Sequence, residues 1–113
     1  MPMNTDDELY DYIFRTTADG IIMADAEGHV LRINPAAAAM LGTTVEQVKG
    51  KAATVCFGTN PALVSLFRKT EDYTTNVRLP RKRFGLGIGK TLNNTRLVII
   101  QDVTERRELE SRR

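Results

Sequence analysis

The sequence predicts an α+β fold, on three observations. An apolar run, Leu97-Val98-Ile99-Ile100, stops at Asp102-Val103-Thr104-Glu105-Arg106 and gives way to a charged stretch, the pattern of a buried strand feeding an exposed helix. Two short apolar runs near the start, Ile21 to Asp25 and Val30 to Ile33, flank the turn Ala26-Glu27-Gly28-His29. The middle of the chain carries helix starts in which Asn precedes Pro, at Asn34-Pro35 and Asn60-Pro61. Strands and helices therefore fall in separate blocks, as they do in α+β domains.

The elements follow in order. Thr5 and Glu8 form a capping-box pattern that opens an amphipathic helix with Leu9, Ile13 and Phe14 on one face. Thr16 to Gly20 break its periodicity, and the hairpin follows, with Gly28 able to take positive φ. Asn34 caps a short helix, Ala36 to Leu41, which Gly42 closes in the left-handed conformation. Thr44 and Gln47 form a second capping box for a helix from Val45 to Lys49, ended by Gly50, while residues 51–60 read as less regular. Pro61 to about Thr70 is a helix with Leu63, Leu66 and Phe67 inward. Three strands close the chain: Thr74 to Leu79, Phe84 to Leu92, and Arg96 to Val103. The last two are joined by the tight-turn pair Asn93-Asn94.

Composition narrows the function. The chain's 113 residues suffice for one domain with a modest core and no staples. A hydrophobic fraction of 42% with 27% charged residues is that of a soluble globular protein. Net charge is only +2, so no nucleic acid is expected as a partner, and the basic cluster Arg78, Arg81, Lys82 and Arg83 reads as a solvated hairpin loop. No apolar stretch approaches the roughly 20 residues of a membrane span, and Met1 to Asp7 lack the layout of a signal peptide, so a cytoplasmic setting is expected. The single Cys56 excludes an internal disulfide framework. The single His29 removes most metal cages and catalytic triads, so no metal or catalytic residue is assigned and the chain does not read as an enzyme.

Three pieces in order carry a family resemblance: Asp19-Gly20-Ile21 with Asp25-Ala26-Glu27-Gly28, Ile33-Asn34-Pro35-Ala36-Ala37 with Leu41-Gly42, and Asp102-Val103-Thr104-Glu105-Arg106. Together the chain resembles a PAS domain, the sensory module found upstream of effectors in sensor histidine kinases, diguanylate cyclases and transcription regulators. The resemblance implies a five-stranded antiparallel sheet with short helices on one face. It also implies a flanking helix over residues 1–18, the PAS domain over 19–104, and the start of a C-terminal signalling helix over 105–113. A covalently linked downstream effector, such as a histidine kinase, and a homodimer are the partners it implies.

Site residues follow from that resemblance. Asp102, Thr104 and Glu105 stand at the strand-to-helix exit, where an Asp or Thr oxygen that accepts the next amides sets the exit angle. A ligand held between sheet and helices would touch Ile22, Ala24, Ile33, Met40, Val55, Phe57, Leu63, Phe67, Leu86, Ile88, Val98 and Ile100. These residues are equally those of an ordinary core, and their lack of polar groups argues against a strongly charged ligand. In Phe84 to Lys90, period-two alternation puts Leu86 and Ile88 on one face and leaves Gly85, Gly87 and Gly89 bare on the other. A bare face admits a close neighbour, here the helix bearing Leu9, Ile13 and Phe14, from this chain or a partner.

The cofactor remains unassigned. Light-sensing LOV domains link flavin through an Asn-Cys-Arg-Phe-Leu-Gln motif, whereas Cys56 falls late in Gly50 to Gly58 without those companions, so it reads as a buried inert thiol. Haem-binding PAS domains use a histidine on the long helix, and Pro61 to Thr70 has none. The leading expectation is a sensory domain that binds a small ligand or partner and relays through its exit. The alternative is a ligand-free dimerisation module of a transcription regulator or cyclase.

Overall fold

Asn34 has a polar side chain with no solvent exposure, and the first half of the fold is tied to it. The computed structural model describes residues 5–105, with side chains from residue 7 onward. Helix α1 (Thr5–Thr16) leads into β1 (Gly20–Ala24) and β2 (Val30–Ile33). Four short helices follow: α2 (Pro35–Leu41), α3 (Val45–Val48), α4 (Ala53–Cys56) and α5 (Pro61–Arg68). The chain then forms β3 (Tyr73–Leu79), β4 (Arg83–Leu92) and β5 (Thr95–Asp102). The sheet has five strands, ordered β2-β1-β5-β4-β3, all paired antiparallel.

The local signals act as the residue chemistry dictates. Asn34 Oδ1 accepts the Ala37 amide at 2.9 Å, and Gly42 closes α2 at φ 67°. Thr44 and Gln47 form a reciprocal capping box. Asn93 and Asn94 turn the last hairpin at φ 49° and 65°. The segment expected to be irregular contains α4, and α5 ends at Arg68 rather than Thr70. The capping role expected of Thr5 and the signalling helix beyond Glu105 lie outside the described side chains and residues.

Strand register sorts the sheet into two faces. Ile22 stands opposite Val98, Val98 opposite Gly89, and Ile100 opposite Gly87, so these residues share the face that α2 to α5 cover. Ile21, Met23, Leu86, Ile88, Leu97 and Ile99 share the other face and stay half-buried.

This reverses the expectation for β4. Gly85, Gly87 and Gly89 lie inward, and Leu86 and Ile88 point away from the core. The reason is steric. A Cβ on Gly85 would stand 3.0 Å from Ile100 Cγ2, one on Gly87 would overlap Leu66 Cδ1, and one on Gly89 would stand 2.6 Å from Arg96 Nη2. The glycines thus let α5 and the β5 side chains approach the sheet, and no helix bearing Leu9, Ile13 and Phe14 packs on them. Hydrophobicity alone assigned Leu86 and Ile88 inward, whereas the depth available beneath α5 admits no side chain there.

Helix α1 also departs from expectation. Only Phe14 of its apolar trio is buried, beneath the Arg32 guanidinium at 4.0 Å from its ring centroid, while Leu9 and Ile13 are 52% and 48% exposed. Asp11 bonds both Arg32 and Arg15 at 2.9 Å and holds the helix beside β2. Val55, expected inside, is 77% exposed, because the single turn of α4 buries Ala53 and turns Val55 outward. Cys56 is half-buried rather than buried, with Sγ 3.9 Å from the Val48 carbonyl oxygen.

Candidate functional site

The exit of β5 is a compact hydrogen-bonded junction. Asp102 Oδ1 accepts the Thr104 amide at 2.9 Å and the Thr104 hydroxyl at 2.5 Å. Asp102 Oδ2 accepts Arg83 Nε at 2.6 Å. Thr104 Oγ1 in turn accepts the Phe84 amide at 2.9 Å, and the Val103 amide donates to the Phe84 carbonyl at 2.9 Å. Thr104 is buried although it lies beyond the end of β5. The start of β4 is therefore bonded to the residues that leave β5. Displacement of either one must strain the other.

Electrostatics keep the junction charged. Partial burial favours the neutral Asp102 carboxyl, but hydrogen bonds from Arg83 and Thr104 outweigh it and hold its pKa below the ordinary value. Glu105 is exposed and stands outside this cluster. The sequence pointed to Asp102 and Thr104. It missed the Phe84 amide, which lies 20 residues away and arrives only through β4–β5 pairing.

The residues expected to line a pocket are mostly the core itself. Ile22, Ala24, Leu63, Val98 and Ile100 have no exposure; Ile33, Phe57 and Phe67 are buried; Met40 packs at the margin. Phe57 and Phe67 stack with centroids 5.6 Å apart.

A charged side chain enters that core. Arg96 is 5% exposed and occupies the inward face of β5, in step with Val98 and Ile100. Its Nε donates to the Leu66 carbonyl at 2.6 Å, and Nη1 donates to the Glu71 carbonyl at 2.8 Å and to Thr91 Oγ1 at 3.0 Å. The Leu66 carbonyl belongs to the last turn of α5, where a cation satisfies an otherwise orphaned acceptor and suits the helix dipole. Burial lowers the Arg96 pKa, and the charges of Glu71 and Asp72 oppose that shift. Period-two alternation from Val98 and Ile100 was the signal that could have found Arg96.

A cleft of about 170 Å³ adjoins this arginine, bounded by Asp25 and Ala26 on one side, Phe67 to Thr70 on another, and Thr91, Asn94 and Arg96 on the third. Nearby, Asp25, Glu27 and His29 place ligand-type atoms within 4.8 Å of one another. Asp25 Oδ1 already accepts the Glu27 and His29 amides at 3.0 and 2.9 Å, which makes the group a turn-forming arrangement. His29 is exposed on this hairpin, and the Arg81–Lys82 loop is likewise solvated.

An antiparallel five-stranded sheet, helices on one face, and an Asp-Thr junction at the last strand define a PAS-type sensory domain. The family described as PAS domain matches residues 8–80, more than half of the chain, and the chain belongs to that family. Among curated proteins it is 29% identical to signal transduction histidine-protein kinase AtoS of Escherichia coli (strain K12), over 92% of this chain and 19% of the kinase. The chain therefore spans about a fifth of that relative, in its PAS part. The PAS domain of an HTR-like protein from Haloarcula marismortui superposes with a TM-score of 0.67 at 16% identity, covering 88% of this chain and 99% of that one. The PAS domain of the Cronobacter turicensis RpfR quorum-sensing receptor, solved in complex with BDSF, superposes with a TM-score of 0.56 at 16% identity, covering 78% and 96%. The protein is thus a PAS sensory domain of the kind found in signalling proteins such as histidine kinases. Among the described residues no helix is long and apolar enough to cross a membrane.

Proposed function

We propose that this domain relays a sensed signal through the Asp102–Thr104 junction to an effector that follows it in a parent cytoplasmic protein, with a histidine kinase as the first candidate. The observation that carries this reading is the bond from the Phe84 amide to Thr104 Oγ1. It makes the direction of the exit a function of the β4 position, and β4 lies directly under α5, where a ligand or partner would act. Thr104→Ala in the parent protein should leave the domain folded while output no longer follows the signal. Unchanged coupling sinks the proposal.

The domain also works as a homodimer in this reading. Leu9, Tyr10, Tyr12 and Ile13 expose an apolar strip on α1, and the outer sheet face presents Ile21, Leu86, Ile88 and Ile99 half-covered. A second copy's α1 supplies the complementary surface. Ile13→Glu should lower the mass measured by light scattering from dimer to monomer; a wild-type monomer at all concentrations ends this part of the proposal.

A ligand-free dimerisation module is the second reading, favoured by the close-packed Phe57–Phe67 stack where a ligand was expected. Saturable binding of a small molecule by the purified domain would decide against it.

A further inference from the structure

The two edges of the sheet are treated differently by the fold. Along β2 the segment after α3 covers the edge. The Gly50 amide donates to the Val30 carbonyl at 2.7 Å, the Val30 amide to the Lys51 carbonyl at 2.9 Å, and the Ala53 amide to the Gly28 carbonyl at 2.8 Å. The other edge, β3, has no such strand-like cover among the described residues.

The pairing pattern shows which β3 groups face outward. The Phe84 amide and carbonyl bond to Thr104 and Val103, on the β5 side. Alternation then turns the backbone groups of Gly85, Gly87 and Gly89 towards β3, where Val77, Thr75 and Tyr73 stand opposite them. Thr74, Asn76 and Arg78 therefore point their N–H and C=O groups away from the sheet. The bond from Asn60 Nδ2 to the Arg78 carbonyl, at 2.9 Å, runs in that direction and ends the open stretch. The Asn76 carbonyl receives a long 3.5 Å contact from the neighbouring Thr75 hydroxyl. The Thr74 and Asn76 amides have no acceptor among the described residues.

Open edges are normally blunted by a bulge, a proline, a lysine or an inward-pointing charge. From Tyr73 to Leu79 β3 carries none of these, and its register with β4 is unbroken. We infer that this edge pairs with β3 of a second copy of the chain, antiparallel about a two-fold axis at Thr75. In that register Thr74 of each copy exchanges backbone bonds with Asn76 of the other. The free amides and carbonyls of both residues are all used, and the Arg78 carbonyl stays with Asn60.

Charge selects the second copy as the occupant. Asp72 precedes β3 and Arg78 lies near its end, both exposed and equally far in sequence from Thr75. An antiparallel copy sets each Asp72 against the other copy's Arg78, whereas a parallel copy would set like charges together. Tyr73 meets Val77 on the inner face, and Thr75 meets itself. This surface is distinct from the α1 contact, because α1 is held beside β2 at the opposite edge. A single strand pair is smaller than the roughly 1,200 Å² of a stable interface, so it forms at high local concentration. It would link domains that another contact already holds close together.

The test uses the 113-residue chain carrying Ile13→Glu, so that the α1 contact contributes nothing to the result. Labelled and unlabelled copies are mixed and followed by NMR through a dilution series. The Thr74 and Asn76 amides should shift with concentration, and an isotope-filtered NOE should join Thr75 Hα of one copy to Thr75 Hα of the other. Asn76→Pro should abolish both signals while sparing the β4 pairing, since the lost amide faces away from β4. Arg78→Asp and Asp72→Arg should each weaken association about tenfold, and mixing these two variants should restore it. The NOE in the parent chain carries the result if a variant fails to fold. Amides that ignore concentration would mark the edge as unused or reserved for another protein and overturn the inference. So would an NOE in another register, or association that Asn76→Pro leaves intact.

Discussion

Asn34 Nδ2 donates to the Phe14 carbonyl at 2.9 Å across 20 residues of sequence, and this bond joins the flanking helix to the body of the domain. The same side chain donates to the Asp19 carbonyl and accepts the Ile21 and Ala37 amides, all at 2.9 Å, so all four of its bonds are made. One residue caps α2, closes the loop before β1 and satisfies a carbonyl in the last turn of α1.

Asn34→Ala should therefore cost roughly 3 kcal/mol, the loss of a cap plus buried groups left unpaired. Asn60 gives the comparison: it also caps a helix, at Leu63, but its Nδ2 bond to Arg78 is exposed, so Asn60→Ala should cost about 1 kcal/mol. Urea unfolding of both variants checks this. Equal costs would show that the additional buried bonds of Asn34 contribute nothing.

Gly87→Ala should destabilise by about 2 kcal/mol, because its Cβ meets Leu66 Cδ1 and stands 3.0 Å from Val77 Cγ2. The cost should couple to Leu66: in a double-mutant cycle with Leu66→Ala, the glycine substitution becomes cheaper by more than about 0.5 kcal/mol. Strict additivity would mean that the sheet relaxes elsewhere.

The loop between β3 and β4 places Arg81 and Lys82 at φ 62° and 60°, in the left-handed region, where most side chains are unfavourable. The β4–β5 turn meets the same backbone demand with Asn93 and Asn94, which tolerate it. Arg81→Asn should raise stability by about 0.5–1 kcal/mol, read as a higher urea midpoint at unchanged slope. A lower midpoint would mean that Arg81 contributes a contact that offsets its backbone strain.

Acid should loosen the exit junction. Asp102 has its folded-state pKa depressed, so the stability it contributes is complete above the unfolded carboxylate value of about 3.9 and is lost as pH falls through the lower folded value. Asp102→Asn should flatten the fall in stability across that acidic window and lower stability at neutral pH. A mutant whose stability follows the wild-type acid profile would place the titration elsewhere.

Much of this protein was legible before any tertiary information. The capped helix starts at Asn34-Pro35 and Thr44, the left-handed Gly42, the Asn93-Asn94 turn and the Asp102–Thr104 exit depend on bonds within a few residues, and residue chemistry determines those directly. The resemblance to the PAS family rested on three pieces in order: the hairpin from Asp19 to Gly28, the Asn34-Pro35 helix start closed by Gly42, and the exit from Asp102 to Arg106.

Tertiary structure decided which face of β4 is inside. Alternation shows only that Leu86 and Gly87 point oppositely; the closeness of Leu66 on α5 decided that the glycine faces inward. It also decided the partners of long-range polar groups: Asn34 with Phe14, Phe84 with Thr104, and Arg96 with Leu66 and Glu71. The physical reason is one of range. Caps and turns are short-range bonds written in neighbouring residues, whereas the depth of a core and the partner of a buried charge exist only once distant segments share space.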